Sequence, residues 1–274
     1  MNIDRISACT YPMREQPYDH ALRVLAESGV YRADLWGREP HFPELPTDDQ
    51  LTAIEAASAA TGVAVANIGS YPGRDFASED EAARTAEMHK MRLTIDAAQR
   101  LGARSIRIMP GHGEDPALVD HIAPLMAESA AFAEAAGVFL GMENHRGSIA
   151  GDPRTILRLC EIVGSRNFGV LYEPCNLWHA GVDYQQAFDV FSDWIVHVHI
   201  KDGRRTADGF ERVHLGEGDV DVQWVVDALE GIGYSGDYAL EYEIPDIEPV
   251  ESGLRKWVSY FSSINAGRRG ESMA

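Results

Sequence analysis

Positive charge is in short supply in this chain. Its 274 residues carry 24 Lys and Arg against 43 Asp and Glu, a formal net charge of −19. So acidic a surface repels phosphate backbones and argues against nucleic acid as a partner. Cysteine is also scarce: Cys9, Cys160 and Cys175 are all there is, and no two have CxxC spacing. That leaves no disulfide framework and fits a reducing cytoplasm. No apolar run approaches the ~18 residues needed to span a bilayer, so no membrane segment is expected. The N-terminal MNIDRISACTYPM lacks the apolar stretch of a signal peptide, and none is expected. Nor does the first strand-like run lead into a dinucleotide loop, because SACTYPMREQP contains no GxGxxG.

What is present is alternation. Eight short β-type runs follow one another: IDRISACT, YRADLW, VAVANIGS, SIRIMPG, VFLGMENH, FGVLYEP, IVHVHIKD and YALEYE. Between them apolar residues recur at helical spacing, as in Met88, Met91, Ile95 and Ala98, or Leu254, Trp257, Val258 and Phe261. Thr47 with Gln50 and Ser78 with Glu81 read as capping boxes. Asp115-Pro116 and Asp152-Pro153 read as an N-cap followed by proline. Gly29, Gly62, Gly102, Gly137 and Gly164 stand where left-handed C-caps belong. Eight such units predict an α/β fold, a single-domain (β/α)8 TIM barrel over residues 1–265, with 266–274 a flexible tail lacking periodicity. An open doubly wound sheet is the alternative, and the missing phosphate loop counts against it.

Four strand ends carry metal-type ligands: Glu143, Glu173, His199 and Glu241. A barrel places its chemistry at that end of its strands, and strands five to eight are neighbours on the rim. Three carboxylates and one imidazole make a hard, mostly oxygen site. It suits Mn²⁺ first, then Mg²⁺ or Co²⁺, with Zn²⁺ also able to accept histidine and carboxylate. Taken singly, each is explained as well by a solvated rim glutamate or a core histidine. Together, three clustered carboxylates repel unless a cation joins them. Lys201 follows His199 and either polarises a substrate oxygen or forms a salt bridge in the rim. His112 and His145 sit on loops of the same face and are candidate substrate contacts. Trp36 offers an apolar wall for a sugar ring or packs on its neighbours.

In MENH, YEPCN, HIKDG, LGEGDVD and LEYE the chain resembles the xylose isomerase-like barrels. In particular it resembles the sugar phosphate isomerase/epimerase family that includes the family 2 apurinic endonucleases. HxKD with LGxGxxD carries most of the specificity; the first four strands match in pattern only. The resemblance implies metal ligation by Glu143, His199 and Glu241. Glu173 stands where the family usually has aspartate. Asn176 stands where several epimerases place a substrate-contacting histidine, a departure from the pattern. Arg205 falls where some epimerases set an arginine on the substrate. The resemblance further implies that Glu143 and Glu241 flank the substrate, one removing a proton and the other returning it.

The function expected is a divalent-metal-dependent isomerase or epimerase of a keto-sugar or related polyol, working through a metal-stabilised enediolate. A metal-dependent lyase using the same enolate is the runner-up. An abasic-site endonuclease needs more histidine ligands and a basic groove. A non-catalytic barrel would not keep the ligands. The partner is a small carbohydrate. Trp257, Tyr260 and Phe261 would serve a homo-oligomer interface or pack on the barrel.

Overall fold

The computed structural model describes residues 3–271, and eight of its strands close into a parallel barrel. These are β1 (Ile6–Cys9), β2 (Arg32–Trp36), β3 (Ala64–Gly69), β4 (Ser105–Ile108), β5 (Phe139–Glu143), β6 (Phe168–Tyr172), β7 (Ile195–Ile200) and β10 (Tyr238–Leu240). β10 pairs with both β7 and β1, so the sheet has no open edge. The doubly wound alternative is thereby set aside. The connecting helices are α1 (Tyr18–Glu27), α2 (Asp48–Thr61), α3 (Glu81–Leu101), α4 (Leu118–Ala136), α5 (Pro153–Val163), α6 (Pro174–Ala180), α7 (Tyr184–Phe191), α8 (Val222–Gly231) and α9 (Val250–Glu271).

The local signals explain most boundaries. Thr47 and Gln50 form a reciprocal capping box on α2, and Asp152 caps α5 through Thr155 N with Pro153 at its first turn. Gly62, Gly102, Gly137 and Gly164 close their helices with positive φ. Two starts differ from expectation. Asp80, not Ser78, caps α3, because its carboxylate accepts from Ala82 N while Ser78 Oγ accepts from Asp80 N. Asp115 accepts from Ala117 N, and α4 starts later, at Leu118. α9 runs through 266 as far as Glu271, and the remainder of the expected tail lies outside the described residues.

Side chains alternate across each strand. On β7, Val196, Val198 and Ile200 face the helices while His197 and His199 face inward to partners on β2. The inward layer is therefore unusually polar for a barrel, where branched apolar side chains normally fill the interior. The apolar core lies between the barrel and its helices. Met88, Met91, Ile95 and Ala98 of α3 are buried there, and so are Leu254, Trp257 and Phe261 of α9, with Tyr260 half-buried. The α9 face thus packs on the barrel. No helix among the described residues is long and apolar enough to cross a membrane.

One element was not anticipated. β8 (Asp202–Thr206) and β9 (Gly209–Val213) form an antiparallel hairpin over the barrel mouth. Its signal was the Asp208-Gly209 pair between two alternating runs, with Gly209 at φ +137°. The LGEGDVD segment folds around the Asp202 carboxylate, which accepts backbone N–H groups from Gly203, Gly216, Gly218 and Val220. A Cβ at Gly218 would lie 2.1 Å from that carboxylate, so only glycine fits. Asp221 then caps α8 through Trp224 N.

Candidate metal and active site

A cavity of about 260 Å³ opens at the C-terminal ends of the strands. That is slightly below the ~300 Å³ at which drug-sized pockets begin, a scale suited to a small sugar. Tyr11, Trp36, Tyr71 and Met109 form one wall; Glu143, His199, Lys201, Glu241 and Glu243 form the other. Trp36 stands edge-on to Tyr11 and donates from Nε1 to Tyr71 Oη at 3.1 Å.

His199 is the centre of the charged wall. Its Nε2 lies 2.8 Å from Asp34 Oδ2 and its Nδ1 has no hydrogen-bond partner although buried. Nδ1 faces Glu143 Oε1 at 3.8 Å and Glu241 Oε2 at 3.6 Å. A buried, unpartnered ring nitrogen is costly unless something occupies its lone pair. Burial disfavours charge on His199, yet Cys9, Asp34 and Glu241 outweigh it and raise its pKa well above the usual imidazole value. The surroundings therefore favour positive charge at Nδ1, of a kind that a proton or a divalent cation would bring. The Glu143, His199 and Glu241 donors all lie within 4.8 Å of one another, a set that fits such an ion. A carboxylate on the far nitrogen is the usual support for a metal-bound histidine.

That support is deep. Asp34 Oδ2 also binds His197 Nε2 at 2.8 Å, and its Oδ1 accepts from Asn67 Nδ2 at 2.9 Å. Ser105 Oγ donates in turn to Asn67 Oδ1 at 2.7 Å. Burial opposes charge on Asp34, but the two imidazoles prevail and hold its carboxyl well below the ordinary range. The β2–β3 register shifts between Ala33 and Asp34, a bulge that helps aim this side chain inward.

Each flanking glutamate has its own cation. Arg107 Nη1 meets Glu143 Oε2 at 2.6 Å, and its guanidinium lies 4.1 Å from the centre of the Tyr71 ring. Lys201 Nζ meets Glu241 Oε2 at 2.7 Å, Glu243 Oε2 at 3.0 Å and Glu173 Oε2 at 3.7 Å. Burial works against the Lys201 charge, and Glu173, Glu241 and Glu243 raise its pKa well above normal. Of its two readings, the salt bridge is the one the geometry displays.

Glu173 behaves differently from the other three. It is fully buried at the N-terminus of α6, where Pro174 has no N–H to offer. Its carboxylate accepts from Cys175 N and Asn176 N instead. Burial raises its pKa while Lys201 opposes the rise. Asn144, of the MENH segment, brackets the same residue by donating to its carbonyl and accepting from its N–H. Asn176 Nδ2 lies 3.3 Å from Glu143 Oε1, inside the cavity wall.

The remaining candidates divide. His145 and Trp36 line the cavity. His112 is exposed on the loop after β4, between Gly111 and Gly113, and does not line it. Arg205 turns outward, its guanidinium 4.0 Å from the Trp178 ring centre and its Nη2 donating to Trp178 O at 2.8 Å. Arg212 of β9 is the hairpin arginine that lines the cavity. Sequence reasoning missed Cys9, Asp34, Tyr71, Arg107, Arg212 and Glu243. Two signals were available: a charged residue inside the apolar run RADLW, and His197 two positions before His199, hence on the same face.

A barrel whose mouth gathers one imidazole and two glutamates within 4.8 Å of one another defines the class: a TIM barrel with a candidate metal site at the C-terminal face of its strands. The chain belongs to the xylose isomerase-like TIM barrel family, which it matches over residues 22–262. Uncharacterized protein MJ1311 of Methanocaldococcus jannaschii is 25% identical over 176 residues, 60% of this chain and 59% of that protein. The chain is 29% identical over 224 residues to L-ribulose-5-phosphate 3-epimerase UlaE of Shigella boydii, covering 77% of this chain and 76% of that one. A D-tagatose 3-epimerase-like protein superposes with a TM-score of 0.79 at 18% identity, covering 98% of this chain and 100% of the other. A Mycobacterium smegmatis barrel in complex with magnesium superposes with a TM-score of 0.79 at 17% identity, covering 95% and 96%. At those identities the two structures share the fold.

Proposed function

We infer that the protein is a divalent-metal-dependent isomerase or epimerase of a keto-sugar or related polyol. The observation that carries this reading is the buried, unpartnered His199 Nδ1 facing Glu143 and Glu241 inside a sugar-sized cavity. The epimerase activity named for the Shigella relative and the magnesium held by the Mycobacterium barrel support it. Glu143, His199 and Glu241 would hold the ion. Mn²⁺ is the first choice for so oxygen-rich a set, with Mg²⁺, Co²⁺ and Zn²⁺ also compatible. When bound, the cation supplies Lewis-acid charge beside a substrate carbonyl. Glu173 sits behind the site, and we assign it to holding Lys201 and the start of α6.

The chain's own residues do the rest. Glu143 and Glu241 approach from β5 and β10, so a substrate between them meets a carboxylate on each side. One takes the proton from the carbon next to the carbonyl and the other returns one to the opposite face. Arg107 and Lys201 fix the two carboxylates by ion pairs. Tyr11, Trp36 and Tyr71 present ring surface to the sugar's C–H face, while His145 and Asn176 offer hydrogen-bonding groups. Three buried free cysteines suit a cytoplasmic setting.

The test is deuterium exchange. Protein stripped by chelation and reloaded with Mn²⁺ is incubated with a panel of keto-sugars in D₂O and followed by NMR and mass spectrometry. Exchange beside the carbonyl with mass otherwise conserved supports the reading. No exchange from any keto-sugar sinks it. Asn176 at the position of an expected histidine keeps one second reading open, a lyase acting through the same proton abstraction; loss of water or of a glycosyl group from the substrate would establish it instead.

A further inference from the structure

His199 has a second face. While Nδ1 looks toward Glu143 and Glu241, Nε2 looks toward Asp34 Oδ2 at 2.8 Å and Cys9 Sγ at 3.9 Å. The Cys9, Asp34 and His199 donors also lie within 4.8 Å of one another. All three residues line the same cavity as the glutamates, so an ion that can reach one set can reach the other. The two sets differ in softness. Carboxylate oxygen prefers Mg²⁺ or Mn²⁺, whereas thiolate selects Zn²⁺, Cd²⁺ and their like. Neither of the other cysteines belongs to a comparable group among the described residues.

We propose that Cys9, Asp34 and the Nε2 face of His199 form a second metal site, selective for thiophilic divalent cations, that shares its imidazole with the glutamate site. On binding, the Cys9 S–H bond breaks, the sulfur keeps the electron pair as a thiolate ligand, and the proton goes to solvent. The His199 imidazolium gives its Nε2 proton to solvent, leaving the Nε2 lone pair for the ion and the remaining proton on Nδ1. There Glu143 and Glu241 stand ready to accept the hydrogen bond. No oxidant or reductant is involved. Filling both faces at once would strip the ring of both its protons, so one ion excludes the other. That exclusion rests on the glutamate site proposed above; the thiophilic site itself does not.

The test uses Cd²⁺ alone as the probe. Metal-free protein is titrated with Cd²⁺ while the ultraviolet thiolate-to-cadmium charge-transfer absorption is recorded. The expected result is a band that saturates at one ion per chain and persists in Cys160→Ser and Cys175→Ser. The band is lost in Cys9→Ser, whose Cd²⁺ affinity falls at least about tenfold. Cys9→Ala takes its place if the serine variant fails to fold. A Glu143→Gln/Glu241→Gln double variant keeps the band, which separates this site from the other. No band in the unmodified protein, or a band that survives loss of the Cys9 thiol, overturns the proposal. A second arm adds Cd²⁺ to Mn²⁺-loaded protein and follows free Mn²⁺ by electron paramagnetic resonance. Release of Mn²⁺ in the unmodified protein but not in Cys9→Ser supports the exclusion. Simultaneous retention of both ions overturns it. If Mn²⁺ never binds, the glutamate site fails while the cadmium band still judges this one.

Discussion

The two halves of the barrel supply different parts of the site. From β5 onward come the groups that face the proposed ion, Glu143, His199 and Glu241, together with Lys201. From β1 to β4 come Asp34, Asn67, Ser105 and Arg107, which hold those groups in place and balance their charge. Each donor from the second half is oriented by a partner from another strand: His199 by Asp34, Glu143 by Arg107, Glu241 by Lys201. Barrel closure is what makes this work, because β2 and β7 are far apart in sequence and reach each other only across the interior.

Breaking the second half should cost the most. Glu143→Gln and Glu241→Gln, if they fold, should each lower turnover by roughly 10²–10⁴, the usual worth of a positioned proton-transfer group. Near-unmodified steady-state rates in both would remove them from the proton path. Breaking the first half should show as stability and as metal affinity. Arg107→Met leaves Glu143 buried without its partner, and the expected loss is about 3–5 kcal/mol in denaturant unfolding of the metal-free protein. A loss under about 1 kcal/mol would mean the pair contributes little beyond its surroundings. Asp34→Asn keeps the shape but gives up the carboxylate on His199. Metal affinity should fall about 10–100-fold by calorimetry; unchanged affinity would leave the two halves uncoupled. The control lies outside both. Thr47→Ala removes the α2 capping box and should lower stability by about 1 kcal/mol without touching metal affinity.

The same division explains what could be read from the sequence. The barrel was legible because eight strand-like runs alternate with capped, C-terminally glycine-closed helices, and Thr47, Asp152 and Gly137 do locally what their residue types favour. Glu143, His199 and Glu241 were legible because each is a ligand-type residue at the end of an apolar run. Asp34 and Arg107 were not, since one charged residue within a strand says nothing about which strand it faces until the barrel closes. Glu173 shows the converse limit. Its strand-end position predicted an ion ligand, and the N-cap bonds it makes at the start of α6 could be read only once Pro174 was seen to open a helix. Arg205 and Arg212 show another. The hairpin decides which arginine faces the cavity, and the hairpin itself rested on a single Asp208-Gly209 turn signal.

The central claim is that the unpartnered nitrogen of His199 and the two glutamates around it form a divalent metal site. Equilibrium dialysis of Mn²⁺ against the metal-free protein and against His199→Gln tests it most directly. The account predicts one ion per chain in the unmodified protein, with affinity at least about a hundredfold weaker in the variant. No bound ion in the unmodified protein, or equal affinity in the two, would contradict it.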